Sequence, residues 1–469
     1  MKKARIIYGR AKSGVERKCI EFLSETFLEY LGAYPTCFDC RETTADGMKE
    51  GDFVDVYVGT SDSLPLLREL GLYPSYDEGY AIRVKDGTIY VAGHDERGLL
   101  YGCVDLYAKY LTPLEYPQKA GKYHQNPFDF PLPDFELDSH PSVSRRGIWT
   151  WGHVIFDYKR FFDNMIRLKL NEITIWNDVM PLNAKEIMDC AKDYGIKVVW
   201  GYAWGWDTNC NQIPLDKLCD SCDQIFETFE REYAPYGVDA IYFQSITETA
   251  KTELNGLLIA EEVTKFVNKT ASLFFEKYPN MEIQFGLHAT SVKDHLDAIA
   301  VTDPRIRIVW EDVGCFPFWY YPKQISGFDT TMSLLDSISK LRGENESFGA
   351  VLKGITQLDW KTFEHTDAPL YVGVSNKATL SKKAENKNKI WRHMQAYWLI
   401  NADKVLDAVR LMVKNTGGDL YVCALVEDGM FENDLMYIVA LFAEMLWDCD
   451  ADIKKLMSEV ALRGDVEFA

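Results

Sequence analysis

The chain has 469 residues, 47 % hydrophobic and 26 % charged, a mix that fits a globular protein with one large core and an accessory unit. Its formal net charge of −20 argues against nucleic acid and anionic membrane surfaces as partners, since both are polyanions. No apolar run approaches the roughly 18 residues of a membrane span, and Arg5 and Arg10 interrupt the N-terminal run before it reaches the about 7–15 residues of a secretory h-region.

Eleven cysteines, an odd number scattered over the chain, read as reduced thiols and predict a cytoplasmic location, with secretion open if a leader precedes this sequence. The CxxC pairs Cys37/Cys40 and Cys219/Cys222 fall in different predicted domains, so no metal site is expected.

Residues 1–112 alternate strand and helix signals: "ARIIYG" and "FVDVYVGT" as strands, 15–31 and 62–71 as helices. Asp86-Gly87 stands between two alternating runs as a hairpin signal, and a helix is expected from about Glu96. These form a small α/β domain. Residues 113–143, rich in proline, read as a linker.

From residue 144 to 469, short apolar runs alternate with helix-length amphipathic segments. The predicted strands are 146–151, 172–177, 196–203, 238–244, 281–287, 306–311, 353–359 and 419–426. Eight such βα units predict a (β/α)8 TIM barrel with C-terminal helices. The glycine-rich phosphate fingerprint of a doubly wound sheet is absent after the first strand. "APLYVGVS" at 368–375 is read as part of a long insertion after the seventh strand.

In such a barrel the active site lies at the C-terminal strand ends. Those ends carry Trp149, Trp151 and His153; Trp176, Asn177 and Asp178; Trp204, Trp206 and Asp207; Gln244, Thr247 and Glu248; His288; Trp310, Glu311 and Asp312; Asp359 and Trp360; and Glu427 and Asp428. Tryptophan beside carboxylate suits a sugar, whose CH faces pack on aromatic rings and whose hydroxyls bond to polar side chains. Glycosidic cleavage needs two carboxyl groups, one protonated and one ionised, and no cofactor. Glu248, Glu311 and Asp312 are the candidate catalytic carboxylates among these strand ends. Trp149, Trp151, Trp176, Asn177, Trp204, Gln244, Thr247, His288, Trp310, Asp359 and Glu427 are predicted to bind an oligosaccharide or glycoconjugate. A catalytically inactive carbohydrate-binding barrel is the alternative.

"GTIYVAGHDERGLLYGCVDLYAKYL" (87–111) resembles the end of the N-terminal domain shared by family 20 hexosaminidases and family 67 α-glucuronidases. "SRRGIWTWGHVIFDYKRFFDNMIRLKLNEITIWND" (144–178) resembles the first βα unit and second strand of their barrels. The resemblance implies the same two-domain layout and an exo-acting glycosidase for an N-acetylhexosaminide, a uronide or a related sugar. Family 20 enzymes end strand four in Asp-Glu, where the Asp orients the substrate acetamido group; here the dipeptide is Thr247-Glu248. The α-glucuronidase pattern, a Glu acid after strand four with carboxylate bases from later strands, is matched by Glu248 with Glu311 and Asp312, so the resemblance implies Glu248 as general acid and Glu311 or Asp312 as base or nucleophile. Arg146, at the start of the first barrel strand, points into the barrel or serves structure.

Overall fold

The computed structural model describes the chain except residues 1–2, 10–12, 32–33, 41–52, 112–131, 151–154, 178, 203, 205–212, 245, 289, 344–346, 357–369, 374–375 and 427–429. The N-terminal unit is a six-stranded sheet of β1 (Lys3–Tyr8), β2 (Thr36–Asp39), β3 (Phe53–Thr60), β4 (Tyr80–Lys85), β5 (Thr88–Gly93) and β6 (Phe135–Ser139), in the order β2-β1-β3-β5-β4-β6. Helices α1 (Gly14–Leu31), α2 (Pro65–Glu69) and α3 (Glu96–Asp105) accompany it. Asp86 and Gly87 both take positive φ, the two-residue turn whose twist matches an antiparallel pair, and β4 and β5 pair as that hairpin. The predicted linker needs a correction. Its residues 135–139 alternate inward and outward and form edge strand β6, antiparallel to β4. The flanking prolines hid that alternation.

The second unit is a closed parallel barrel. Its strands are β7 (Arg145–Trp149), β8 (Glu172–Trp176), β9 (Lys197–Gly201), β10 (Ala240–Gln244), β13 (Glu282–Leu287), β14 (Ile306–Glu311), β15 (Phe348–Ile355) and β16 (Leu420–Val426). A short hairpin, β11 (Glu253–Leu254) and β12 (Leu257–Leu258), follows β10. All eight predicted strands contribute. The seventh is shifted, however: it starts at Phe348 and not at residue 353. Lys353 marks a strand edge by polarity, yet it lies inside the strand because its amine pairs with a buried carboxylate in the barrel. Residues 370–373 form no strand.

The outer layer includes α4 (Tyr158–Arg167), α5 (Ala184–Asp193), α6 (Cys222–Glu232), α7 (Ile259–Lys277), α8 (Leu296–Ala300), α9 (Phe328–Ser339), α10 (Lys377–Thr416), α11 (Met430–Asn433), α12 (Tyr437–Trp447) and α13 (Ile453–Ala461). Helix α10 is 40 residues long. Among the described residues no helix is long and apolar enough to cross a membrane.

Period-2 alternation sorts the barrel strands into two faces. Trp149, Trp176, Val199, Tyr242, Val309, Val351, Tyr421 and Leu425 pack together inside the barrel. Their neighbours Ile148, Trp200, Phe243, Phe285 and Trp310 join the larger core beneath the helices. The N-terminal floor of the barrel is ionic: Glu282 binds Arg145 at 2.7 Å and Lys197 at 2.5 Å, and Arg307 binds Asp419 at 3.0 Å.

The two units share a buried interface. Asp95 caps α3 through the Gly98 N–H and accepts the Glu78 N–H with its second oxygen. That brings the Glu78 carboxylate to Arg146 Nη2 at 2.5 Å and Arg97 Nη1 at 2.8 Å. Arg146 thus reaches from the barrel into the N-terminal domain, settling it as a structural residue. Gly98 permits the approach, since a Cβ there would stand 2.2 Å from the Gly79 carbonyl oxygen. A second tie runs from Lys169, whose amine binds Asp105 at 2.7 Å and Glu444 at 2.6 Å.

Candidate active site

The C-terminal ends of β10, β13, β14 and β15 surround a cavity of about 640 Å³. Glu248, His288 and Lys353 line it on the barrel side; Phe318 and Tyr320 line it from the loop after β14, and His393 and Tyr397 from α10.

Beneath the cavity lies a polar array centred on Glu311, the last residue of β14. Strand alternation turns it into the barrel, where it is fully buried. Oε1 accepts the Tyr242 hydroxyl at 2.5 Å. Oε2 lies 2.8 Å from His288 Nε2, accepts Gln244 Nε2 at 3.1 Å and sits 3.4 Å from Lys353 Nζ. Burial pushes the Glu311 carboxyl up, but His288, Lys353 and the hydrogen bonds outweigh it and hold it down at about 2. Glu311 is therefore a fixed anion at neutral pH. The Lys353 ammonium also stands over the Trp149 ring, 5.1 Å from its centroid.

Glu248 is at the cavity mouth with half of its side chain exposed, and its Oε2 is 3.9 Å from His288 Nε2. The same nitrogen meets Glu311 at 2.8 Å, so the two carboxylates are no farther apart than the sum of these distances. Access differs, though: Glu248 faces the cavity, whereas His288 and Lys353 cover Glu311.

The remaining predicted residues divide clearly. Asp312 requires a correction: it is fully buried, and its two oxygens accept the backbone N–H groups of Cys315 and Phe316 at 3.0 and 3.1 Å. It organises the root of the β14 loop and does not line the cavity. Burial, opposed by these backbone bonds, raises its carboxyl to about 6. Thr247 is also fully buried; its hydroxyl accepts the His288 N–H at 3.0 Å and its carbonyl accepts the Ser291 hydroxyl at 2.7 Å. It ties the β10 loop to the β13 loop and is corrected from substrate contact to positioning residue.

The described tryptophans of the predicted set, Trp149, Trp176, Trp204 and Trp310, do not line the cavity. Trp204 stacks between Phe243, 3.7 Å away at 11°, and Phe274 of α7, and is wholly buried in the helix layer. Trp310 points outward against Phe316. Trp149 and Trp176 pack inside the barrel against Tyr242. Gln244 reaches the Glu311 array, and Asn177 is half-buried outside the cavity lining. Trp151, Asp359 and Glu427 lie outside the described residues.

Sequence reasoning missed Tyr242, Lys353, Phe318, Tyr320, His393 and Tyr397. Lys353 was discoverable as a charged residue at an inward position of a barrel strand. The aromatic run "CFPFWYYP" after β14 was a visible signal for Phe318 and Tyr320. His393 and Tyr397 carry none, because they lie well inside a long helix.

No protein-family model matches the chain. The fold is similar to that of a family GH115 4-O-methyl-α-glucuronidase with specificity for decorated arabinogalactans, at 16 % identity and a TM-score of 0.54 over 97 % of this chain and 57 % of that one. It is similar to a GH138 enzyme targeting pectin rhamnogalacturonan II at 12 % identity and a TM-score of 0.52, over 96 % of this chain and 65 % of that one. A third similar structure, CpGH84D, gives 13 % identity and a TM-score of 0.53 over 97 % and 68 %. The chain thus spans less than two thirds of the length of the first two. At these identities the likeness carries the fold, a (β/α)8 barrel with an additional sheet domain, of the kind found in glycoside hydrolases.

Proposed function

We propose that the protein is a glycoside hydrolase whose general acid is Glu248. The observation that carries this reading is the rim cavity itself. One exposed carboxylate stands at its mouth beside a buried, fixed array of His288, Lys353 and Glu311, with an aromatic wall opposite. A sugar ring has the matching chemistry: apolar faces for Tyr320 and Tyr397, and hydroxyls for His288 and Lys353. Glu248 would protonate the leaving oxygen. Glu311 acts as a positioning residue, its fixed charge holding the His288 ring and the Lys353 amine. Asp359 and Glu427, which follow β15 and β16 in the sequence, remain proposed substrate contacts, and one of them would supply the second carboxyl. The likeness to carbohydrate-active barrels supports the substrate class and leaves the sugar open.

A panel of aryl glycosides covering hexosaminides, glucuronides and hexosides of both anomers tests the activity. Turnover of at least one, lowered about 10²–10⁴-fold in Glu248→Gln, is the expected result. Near-normal turnover in that variant would remove Glu248 as the acid. One observation favours a second reading, an inactive carbohydrate-binding barrel: among the described residues no second carboxylate opens onto the cavity beside Glu248. That reading predicts glycan binding with no turnover across the whole panel.

A further inference from the structure

We propose that the aromatic wall of the cavity continues past Tyr320 to Trp319 as a stacking platform for a further sugar ring, so that the natural ligand is a glycan chain. The inference rests on the carbohydrate reading of the cavity and deepens it. Large aromatic side chains are normally drawn into cores or interfaces. Here two consecutive ones stay out, Trp319 at 49 % and Tyr320 at 60 % relative exposure.

Their loop is not loose. Asp312 holds its root through the Cys315 and Phe316 amides, and Phe316 is buried against Trp310 and Phe328. Asn401 of α10 donates to the Pro317 carbonyl at 2.9 Å, and the Trp319 and Tyr320 amides return to the carbonyls of Cys315 and Gly314. Within this frame Trp319 takes φ 57°, a left-handed conformation unfavourable for a bulky residue. Tyr320 packs against Gly314, where an added Cβ would stand 3.4 Å from the Tyr320 Cβ and 3.6 Å from its ring. Burial of neither ring compensates this strain.

Position supplies the missing partner. Tyr320 lines the same cavity as Glu248, while Trp319 does not line it. Trp319 follows the lining directly in the chain and is exposed, so a ring stacked on it would lie beyond the one held in the cavity. A pinned aromatic surface loses little conformational entropy on binding, which suits stacking against the CH face of a pyranose.

The test is affinity electrophoresis in native gels containing arabinogalactan, rhamnogalacturonan or glycol chitin, using the full chain. The wild type should be retarded in at least one gel, and Glu248→Gln equally. Tyr320→Ala and Trp319→Ala should weaken retardation about tenfold in apparent affinity, whereas Tyr320→Phe keeps the ring and the retardation. Unchanged mobility of the alanine variants relative to wild type would overturn the proposal, as would a wild type unretarded in all three gels. Retardation without any aryl-glycoside turnover would leave the platform standing and remove the hydrolase reading.

Discussion

Tyr242 donates to Glu311 across 2.5 Å, and the space for that bond exists because residue 286 between them has no side chain. A Cβ on Gly286 would stand 2.1 Å from the Tyr242 hydroxyl and 2.5 Å from Glu311 Oε1. Three barrel strands thus fit together at one point beneath the cavity. Gly286→Ala should push Tyr242 off the carboxylate and cost about 1–3 kcal/mol, read as a lower unfolding midpoint in urea. Losing a donor to the ionised form should also raise the Glu311 carboxyl from about 2. The acid limb of stability would move to higher pH, because a depressed carboxylate stabilises the fold above its unfolded value and loses that contribution as pH falls.

Thr247 directly precedes the proposed acid Glu248 in the loop after β10. Its burial and its bond from the His288 N–H explain a short hydroxyl at that position. Thr247→Val keeps the shape and leaves that N–H without its acceptor, with an expected loss of about 1–3 kcal/mol. Thermal unfolding reads the loss; an unchanged melting temperature would show that the hydroxyl does not fix the loop.

Asp312 should give the protein a distinct pH signature. Its carboxyl is raised by burial to about 6 from an ordinary value near 3.8. The raised group contributes stability fully present below the unfolded value and lost as pH rises through about 6. The difference amounts to about 3 kcal/mol between pH 3.8 and pH 6 and above. Asp312→Asn removes the titration, so its stability relative to wild type should improve by that order as pH rises from 4 to 7. Parallel profiles for the two proteins would show that Asp312 does not titrate in that window.

The interface between the units depends on Glu78. Replacing it with Gln strips Arg146, wholly buried, of its counter-charge at 2.5 Å. A loss of about 3–5 kcal/mol is expected, visible in urea unfolding. A loss below 1 kcal/mol would mean that water reaches Arg146 once Glu78 is neutral.

By itself the sequence determined the order of the barrel strands, because eight apolar runs alternating with amphipathic helices, without the glycine-rich fingerprint of a doubly wound sheet, read as a closed parallel barrel. It also marked the β10 end as polar, and Glu248 does face the cavity there. Only the tertiary structure decided which neighbouring side chains share a face. Trp310, Glu311 and Asp312 are consecutive, yet one packs under the helices, one enters the barrel and one caps a loop. A one-residue step reverses the direction of a side chain on a strand, and loops after the strand end lose even that rule. The aromatic wall from Tyr397 was beyond sequence reading for another reason. It belongs to a helix that reaches the rim through packing against the β14 loop, a contact set by the closed barrel and by no local pattern.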